Sequence, residues 1–180
     1  MSLTSKLFQG GAHAKLYAQY RPVYPSSVIS SILEFCKQSK SDFSAALDIG
    51  CGSGQSSVSL IKHFKRVIGI DVSKAQVDQA PKDIPGLSFQ VSSAEDLSFQ
   101  PNSSIDLVTV AQAIHWVDLE KFYPEVNRVL RPCGVLAVYG YGNVKLNSPE
   151  GSQIVHDVSI IFILVSKYMI PLSIVISDHY

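Results

Sequence analysis

The sequence predicts a doubly wound α/β domain, a parallel sheet with helices on both faces. Two observations carry that expectation. Apolar runs suited to strands alternate with segments of helical periodicity, and several of those runs are apolar on both faces. A glycine-rich turn, LDIGCGSGQ at 47–55, also joins the first run to the helix that follows it. The 180 residues suit one domain with a core of its own. Hydrophobic residues make up 46% and charged residues 17%, which excludes a disordered chain. Fifteen basic and fifteen acidic residues cancel, so the basic excess of a phosphate-backbone binder is missing and nucleic acid is not expected as a partner.

In chain order, the aromatic stretch YAQYRPVYP (17–25) precedes a helix capped by Ser26, with Val28, Ile29, Ile32, Leu33 and Cys36 at helical spacing. The run AALDIG (45–50) is the first strand, and Gln55 to Phe64 a helix packed on it. VIGID (67–71) is the second strand, followed by a short helix SKAQVDQA (73–80) stopped before Pro81. LSFQV (87–91) and IDLVTVA (105–111) are the third and fourth strands. Pro124 fits the first position of the next helix, which carries Val126, Val129 and Leu130. The turn RPCG (131–134) feeds a fifth strand, VLAVY (135–139).

Cys36, Cys51 and Cys133 are odd in number and far apart, so they form neither a disulfide framework nor a metal-spaced cluster. His13, His63 and His156 have no partners at ligand spacing, so no metal site is expected. The opening MSLTSKLFQGG lacks the apolar stretch of a secretory leader, and the expected location is cytoplasmic.

Gly50, Gly52 and Gly54 allow a sharp turn and the close approach of a ligand. Asp71 closes the second strand, where an acid in such a sheet can accept hydrogen bonds from ribose hydroxyls. A dinucleotide turn uses G-x-G-x-x-G, but here the spacing is G-x-G-x-G, with Ser56 and Ser57 where a third glycine would fall. Asp48 adds a carboxylate that repels a pyrophosphate and suits a ligand with an amino group and a sulfonium. S-adenosylmethionine is therefore preferred over NAD.

LDIGCGSGQ, VIGIDVS, SSAEDLSF, DLVTVAQAIHWVD and RVLRPCGVLAVYGYG together resemble the successive motifs of class I S-adenosylmethionine-dependent methyltransferases. The likeness is to the type 11 branch, which includes ubiquinone-biosynthesis and trans-aconitate methyltransferases, and it covers about residues 10–150. The resemblance implies a Rossmann-like sheet of order 3-2-1-4-5 and methyl transfer to a small molecule. It implies that Asp48, Gly50, Cys51 (through its backbone), Gly52 and Gly54 line the methionine part of the cofactor. Asp71 would hold the ribose, Val72 would pack on the adenine, and Ala94 and Glu95 would meet the adenine edge. Gln112 and Ala113 would lie under the methionine chain, and Tyr17, Tyr20 and Arg21 would belong to a segment folding over the cofactor. His115, Trp116 and Tyr20 are the substrate-side candidates; His115 reads equally as a packing residue at a helix start. Cys133 stands where the family has glycine, a change expected to be tolerated.

Residues 1–151 thus read as an incomplete cofactor-binding domain, and 152–180 as an apolar tail where the resemblance stops. Three readings of the tail compete. The favoured one is an aberrant or truncated C-terminus. The second is a makeshift strand pair, SIIFILVS (159–166) and LSIVIS (172–177), on the open edge of the fifth strand. The third is membrane contact through 158–176, weakened by Lys167 and Pro171. The alternative functions are a catalytically impaired chain that only binds cofactor or a partner and, less favoured, an NAD-dependent oxidoreductase. Self-association of the apolar tail is a further expectation.

Overall fold

The computed structural model describes Tyr24 and residues 26–140, together with the backbone of Tyr141 and of strands at 145–146, 154–155, 157–164 and 174–179. Five parallel strands form the centre: β1 Ala45–Ile49, β2 Arg66–Asp71, β3 Leu87–Val91, β4 Ile105–Ala111 and β5 Leu130–Tyr141. Their order is 3-2-1-4-5, as the family resemblance implies. β1 and β4 are buried at every position, which explains why their apolar residues fall on both faces rather than alternating, with Asp48, Asp106 and Thr109 as buried polar exceptions.

Helix α1, Ser26–Gln38, buries Val28, Ile32 and Cys36 on one face of the sheet. Burial pushes the Cys36 thiol up to about 12, so it stays protonated and acts as a small apolar side chain. Helix α2, Gln55–Leu60, follows the glycine turn, and α3, Lys74–Val77, follows β2. The predicted helix over 73–80 is thus shortened to a single turn. Of its residues only Gln76 and Ala80 are buried, too little apolar contact to hold a longer helix.

Helix α4, Leu119–Val129, corrects the expectation at Pro124. The helix starts five residues earlier, behind Asp118, and Pro124 lies inside it. Proline there has no N–H to give and its ring crowds the preceding turn. Phe122, Val126 and Val129, all 0% exposed, hold the helix against the other face of the sheet despite that cost. Arg128 ties α4 to the loop before β4, donating to the carbonyls of Leu97 and Gln100 at 2.8 Å and to both oxygens of Glu125. That hydrogen bonding holds the Glu125 carboxyl below its usual range.

The RPCG segment is an irregularity within β5 rather than a turn before it. The ladder with β4 shifts register between the Ile105–Leu130 and Leu107–Val135 pairs. Cys133 takes φ +66° there, a left-handed conformation that favours glycine.

Beyond the parallel strands, β8 Asp157–Leu164 pairs antiparallel with β5, and β9 Ile174–His179 with β8. β6 Lys145–Leu146 and β7 Ile154–Val155 form a separate two-stranded ladder. The described backbone pairs these strands much as the strand-pair reading of the tail expects, and the pair covers the open edge of β5. No helix among the described residues is long and apolar enough to cross a membrane.

Candidate functional site

The site lies at the carboxyl ends of the parallel strands, where a doubly wound sheet opens a crevice. Gly50, Gly52 and Gly54 all have positive φ, +66°, +56° and +87°. At Gly50 a Cβ would stand 2.4 Å from the Cβ of Ala113, so the turn and the segment after β4 meet only because Gly50 has no side chain. Gly54 serves packing, since the space its Cβ would take is filled by the Phe89 ring. A side chain at Gly52 would strain the backbone whatever the ligand, so a bulky substitution there does not isolate the binding role.

Asp71 stands against this turn. Gly52 N–H donates to its Oδ2 at 2.9 Å, and Ser73 N–H to its Oδ1 at 2.8 Å. The side chain is only half-buried, and each carboxylate oxygen can accept a second hydrogen bond. Val72 beside it is 69% exposed, an apolar surface at the same rim. The sequence therefore brings together the glycines and the acid it singled out.

Asp48 is fully buried at the floor of a cleft lined also by Tyr24, Gly50, Cys51, Gln55, Ser56 and Ala111. Thr109 Oγ donates to its Oδ1 at 2.8 Å and Ser57 Oγ to its Oδ2 at 2.6 Å. Tyr24 meets Tyr139 edge-on, with ring centroids 4.8 Å apart, and the Tyr139 hydroxyl is hydrogen-bonded to Ser56. Cys51 is buried with its N–H donating to the Ile70 carbonyl at 3.0 Å, so its own amide is engaged within the fold. Ser57 shows in the sequence only as a missing third glycine, and Thr109 and Tyr139 only as positions within longer motifs, with no role attached. A polar residue within an apolar stretch, as Thr109 is among Leu107, Val108, Val110 and Ala111, is the trace the sequence offers for that hydroxyl.

After β4, Gln112 takes φ +54°, strained for a residue with a side chain, and its amide packs against Gly140. Ala94 is buried. Glu95 accepts the Asp118 N–H at 2.9 Å and so tethers the start of α4. Asp118 sits below the usual carboxylate range because Lys121 hydrogen-bonds it, and Asp96 does so through Ser98. His115 and Trp116 form a 3₁₀ turn, Ile114–Trp116, with rings 4.8 Å apart and Trp116 52% exposed. Tyr17, Tyr20 and Arg21 lie outside the described residues. Among the described residues, no group of three or more His, Cys, Asp or Glu is placed to hold a metal.

A methyl-donor nucleoside fits these groups. Asp71 can accept further hydrogen bonds, Val72 offers an apolar face, and Asp48 places a carboxyl beside the cleft.

Residues 47–138, just over half of the chain, match the family model described as a methyltransferase domain. A Dictyostelium discoideum protein named as a methyltransferase is 37% identical over 170 residues, 94% of this chain and 63% of that protein. The Saccharomyces cerevisiae protein CRG1, named as an S-adenosylmethionine-dependent methyltransferase, is 36% identical over 131 residues, 69% of this chain and 44% of its own length. Among solved structures, a methyltransferase from Anaeromyxobacter dehalogenans superposes with TM-score 0.60 at 37% identity, covering 72% of this chain and 52% of that one. The chain thus spans less than two thirds of the length of these relatives. The chain belongs to the class I S-adenosylmethionine-dependent methyltransferases, whose cofactor is S-adenosylmethionine.

Proposed function

We propose that the protein transfers the methyl group of S-adenosylmethionine to a small-molecule acceptor. The observation that carries this is the Asp71 carboxylate, fixed by Gly52 and Ser73 amides at the mouth of the glycine turn. When bound, the cofactor supplies a methyl group on a sulfonium that is already activated. The protein's part is then alignment rather than covalent help. Asp71 takes the ribose hydroxyls and Val72 packs on the adenine, with Ala94 and Glu95 at its edge. Asp48 accepts from the ammonium, while Gly50, Gly52 and Ala113 shape the wall along the methionine chain. His115 and Trp116, with Tyr20 from the N-terminal segment, form the acceptor side. The balance of basic and acidic residues supports a small acceptor over a nucleic acid.

Titration calorimetry with S-adenosylmethionine, S-adenosylhomocysteine and NAD tests the reading. Binding of the first two with no heat from NAD is expected. Preference for NAD ends it. Methyl transfer to a panel of small acids and phenols then separates an enzyme from a chain that binds cofactor or a partner without turnover. The free thiols of Cys36, Cys51 and Cys133 support a reducing cytosolic setting, which imaging of the tagged protein checks.

A further inference from the structure

We infer that Thr109 and Ser57 are positioning residues, which hold the Asp48 carboxylate toward a ligand ammonium and so select the amino-acid arm of the cofactor. This rests on the methyl-donor reading above. Asp48 and Thr109 are Cα partners across the β1–β4 ladder, so their side chains leave the sheet on the same face. Ser57 reaches the same carboxylate from α2. One hydroxyl bonds each oxygen, at 2.8 Å from Thr109 and 2.6 Å from Ser57, and the two donors come from different elements. Asp48, Thr109 and Ser57 are each 0% exposed. A carboxylate taken out of water in this way has to be hydrogen-bonded to be tolerated.

The hydroxyls also fix which way the acid faces. Each carboxylate oxygen accepts more than one hydrogen bond, and Asp48 borders the cleft beside Gly50, Gln55 and Ser56. An ammonium brings three donors and a positive charge to that position. A pyrophosphate brings negative charge and is repelled. Counted from Gly52, Ser57 also stands at the third-glycine place of a dinucleotide turn. The side chain that fills that place is the one that orients the acid, so the same substitution disfavours the wrong ligand and prepares for the right one.

Two ligands dissect the role: S-adenosylhomocysteine, and 5′-methylthioadenosine, which keeps the adenosine and thioether but has no ammonium. In calorimetry, Thr109→Val, close to the same shape, is expected to weaken S-adenosylhomocysteine about tenfold and to leave methylthioadenosine within about twofold. Ser57→Ala repeats the pattern from the helix side, and Thr109→Ser restores binding. Thermal melts identify any variant that fails to fold, and the other variant then decides. Equal weakening of both ligands, or unchanged S-adenosylhomocysteine affinity, overturns the inference. A wild-type chain that binds neither ligand overturns the methyl-donor reading and this inference together.

Discussion

Asp106 stands at the amino end of β4 and Asp71 at the carboxyl end of β2, two carboxylates on opposite rims of one sheet. Asp106 is 3% exposed and accepts three hydrogen bonds, from the Ser44 and Ala45 amides and from Arg131 at 2.9 Å. It joins the start of β1 to the irregular segment of β5, and its partners are all parts of the fold. Asp71 accepts two backbone amides and keeps a half-exposed face. Around Asp71 and the end of β4 lie uncovered apolar groups, Val72 and Trp116. One rim spends its polar groups on stability, and the other holds them for a ligand.

The largest expected effect breaks the first rim. Asp106→Ala leaves two amides and a guanidinium without their acceptor. We expect a loss of roughly 3 kcal/mol of stability, at the low end for a broken buried pair because Arg131 can turn to solvent. Urea unfolding measures it. A loss below 1 kcal/mol would mean that water replaces the carboxylate and that this rim is not the stabilising one.

Asp71→Ala makes the opposite cut. Cofactor affinity should fall by about 1–3 kcal/mol, the range for leaving a polar partner unpaired. Stability should change less than in Asp106→Ala, since water reaches the amides of Gly52 and Ser73. Calorimetry and urea unfolding on the same preparation decide it. Unchanged affinity with a large stability loss would make Asp71 a structural acid like Asp106.

The two rims also differ in how far the sequence reveals them. β3 and β4 match the predicted runs residue for residue, and β1 and β2 to within one residue; β1, β2 and β4 are legible because buried strands are apolar on both faces, and the part-exposed β3 because its residues alternate. Gly50, Gly52 and Asp71 are legible because a turn needing positive φ and an acid closing the next strand are local features. Ser57 and Thr109 act through Asp48 and Tyr139 through Ser56, partners far away in the sequence or on another element, and local pattern does not pair them. The start of α4 was obscured by Pro124, which resembles a first-turn proline, although Asp118 followed by Leu119, Phe122, Val126 and Val129 carries the capping and helical spacing of the true start. Glu95 and Asp96 accept backbone amides, of Asp118 at the start of α4 and of Ser98 in the loop before β4, so both serve local structure.

Cys133 sharpens the comparison from the stable rim, which also carries Arg131. Its φ of +66° costs a side-chain-bearing residue about 1 kcal/mol relative to glycine. Cys133→Gly should therefore raise stability by up to about that amount, less what glycine's greater freedom in the unfolded chain takes back. Thermal melting checks it. A lowered midpoint would show that the thiol makes a contact worth more than the strain.

Trp116 should give the smallest stability change and the clearest functional one. It is 52% exposed on the 3₁₀ turn after β4, its ring tilted 51° against that of His115, with Leu119 42% and Tyr123 40% exposed on the helix that follows. Exposed side chains away from caps and core usually shift stability by less than about 0.5 kcal/mol when truncated. Trp116→Ala should stay within that limit and leave cofactor binding unchanged, because Asp71, Asp48 and the glycine turn are untouched. An acceptor-side residue should instead lower methyl transfer, as a raised KM if it only binds the acceptor and as a reduced kcat if it aligns it. Transfer kinetics and urea unfolding of the variant separate these outcomes. A stability loss above 1 kcal/mol with normal transfer would move Trp116 from the rim that meets ligands to the part of the molecule that holds the fold together.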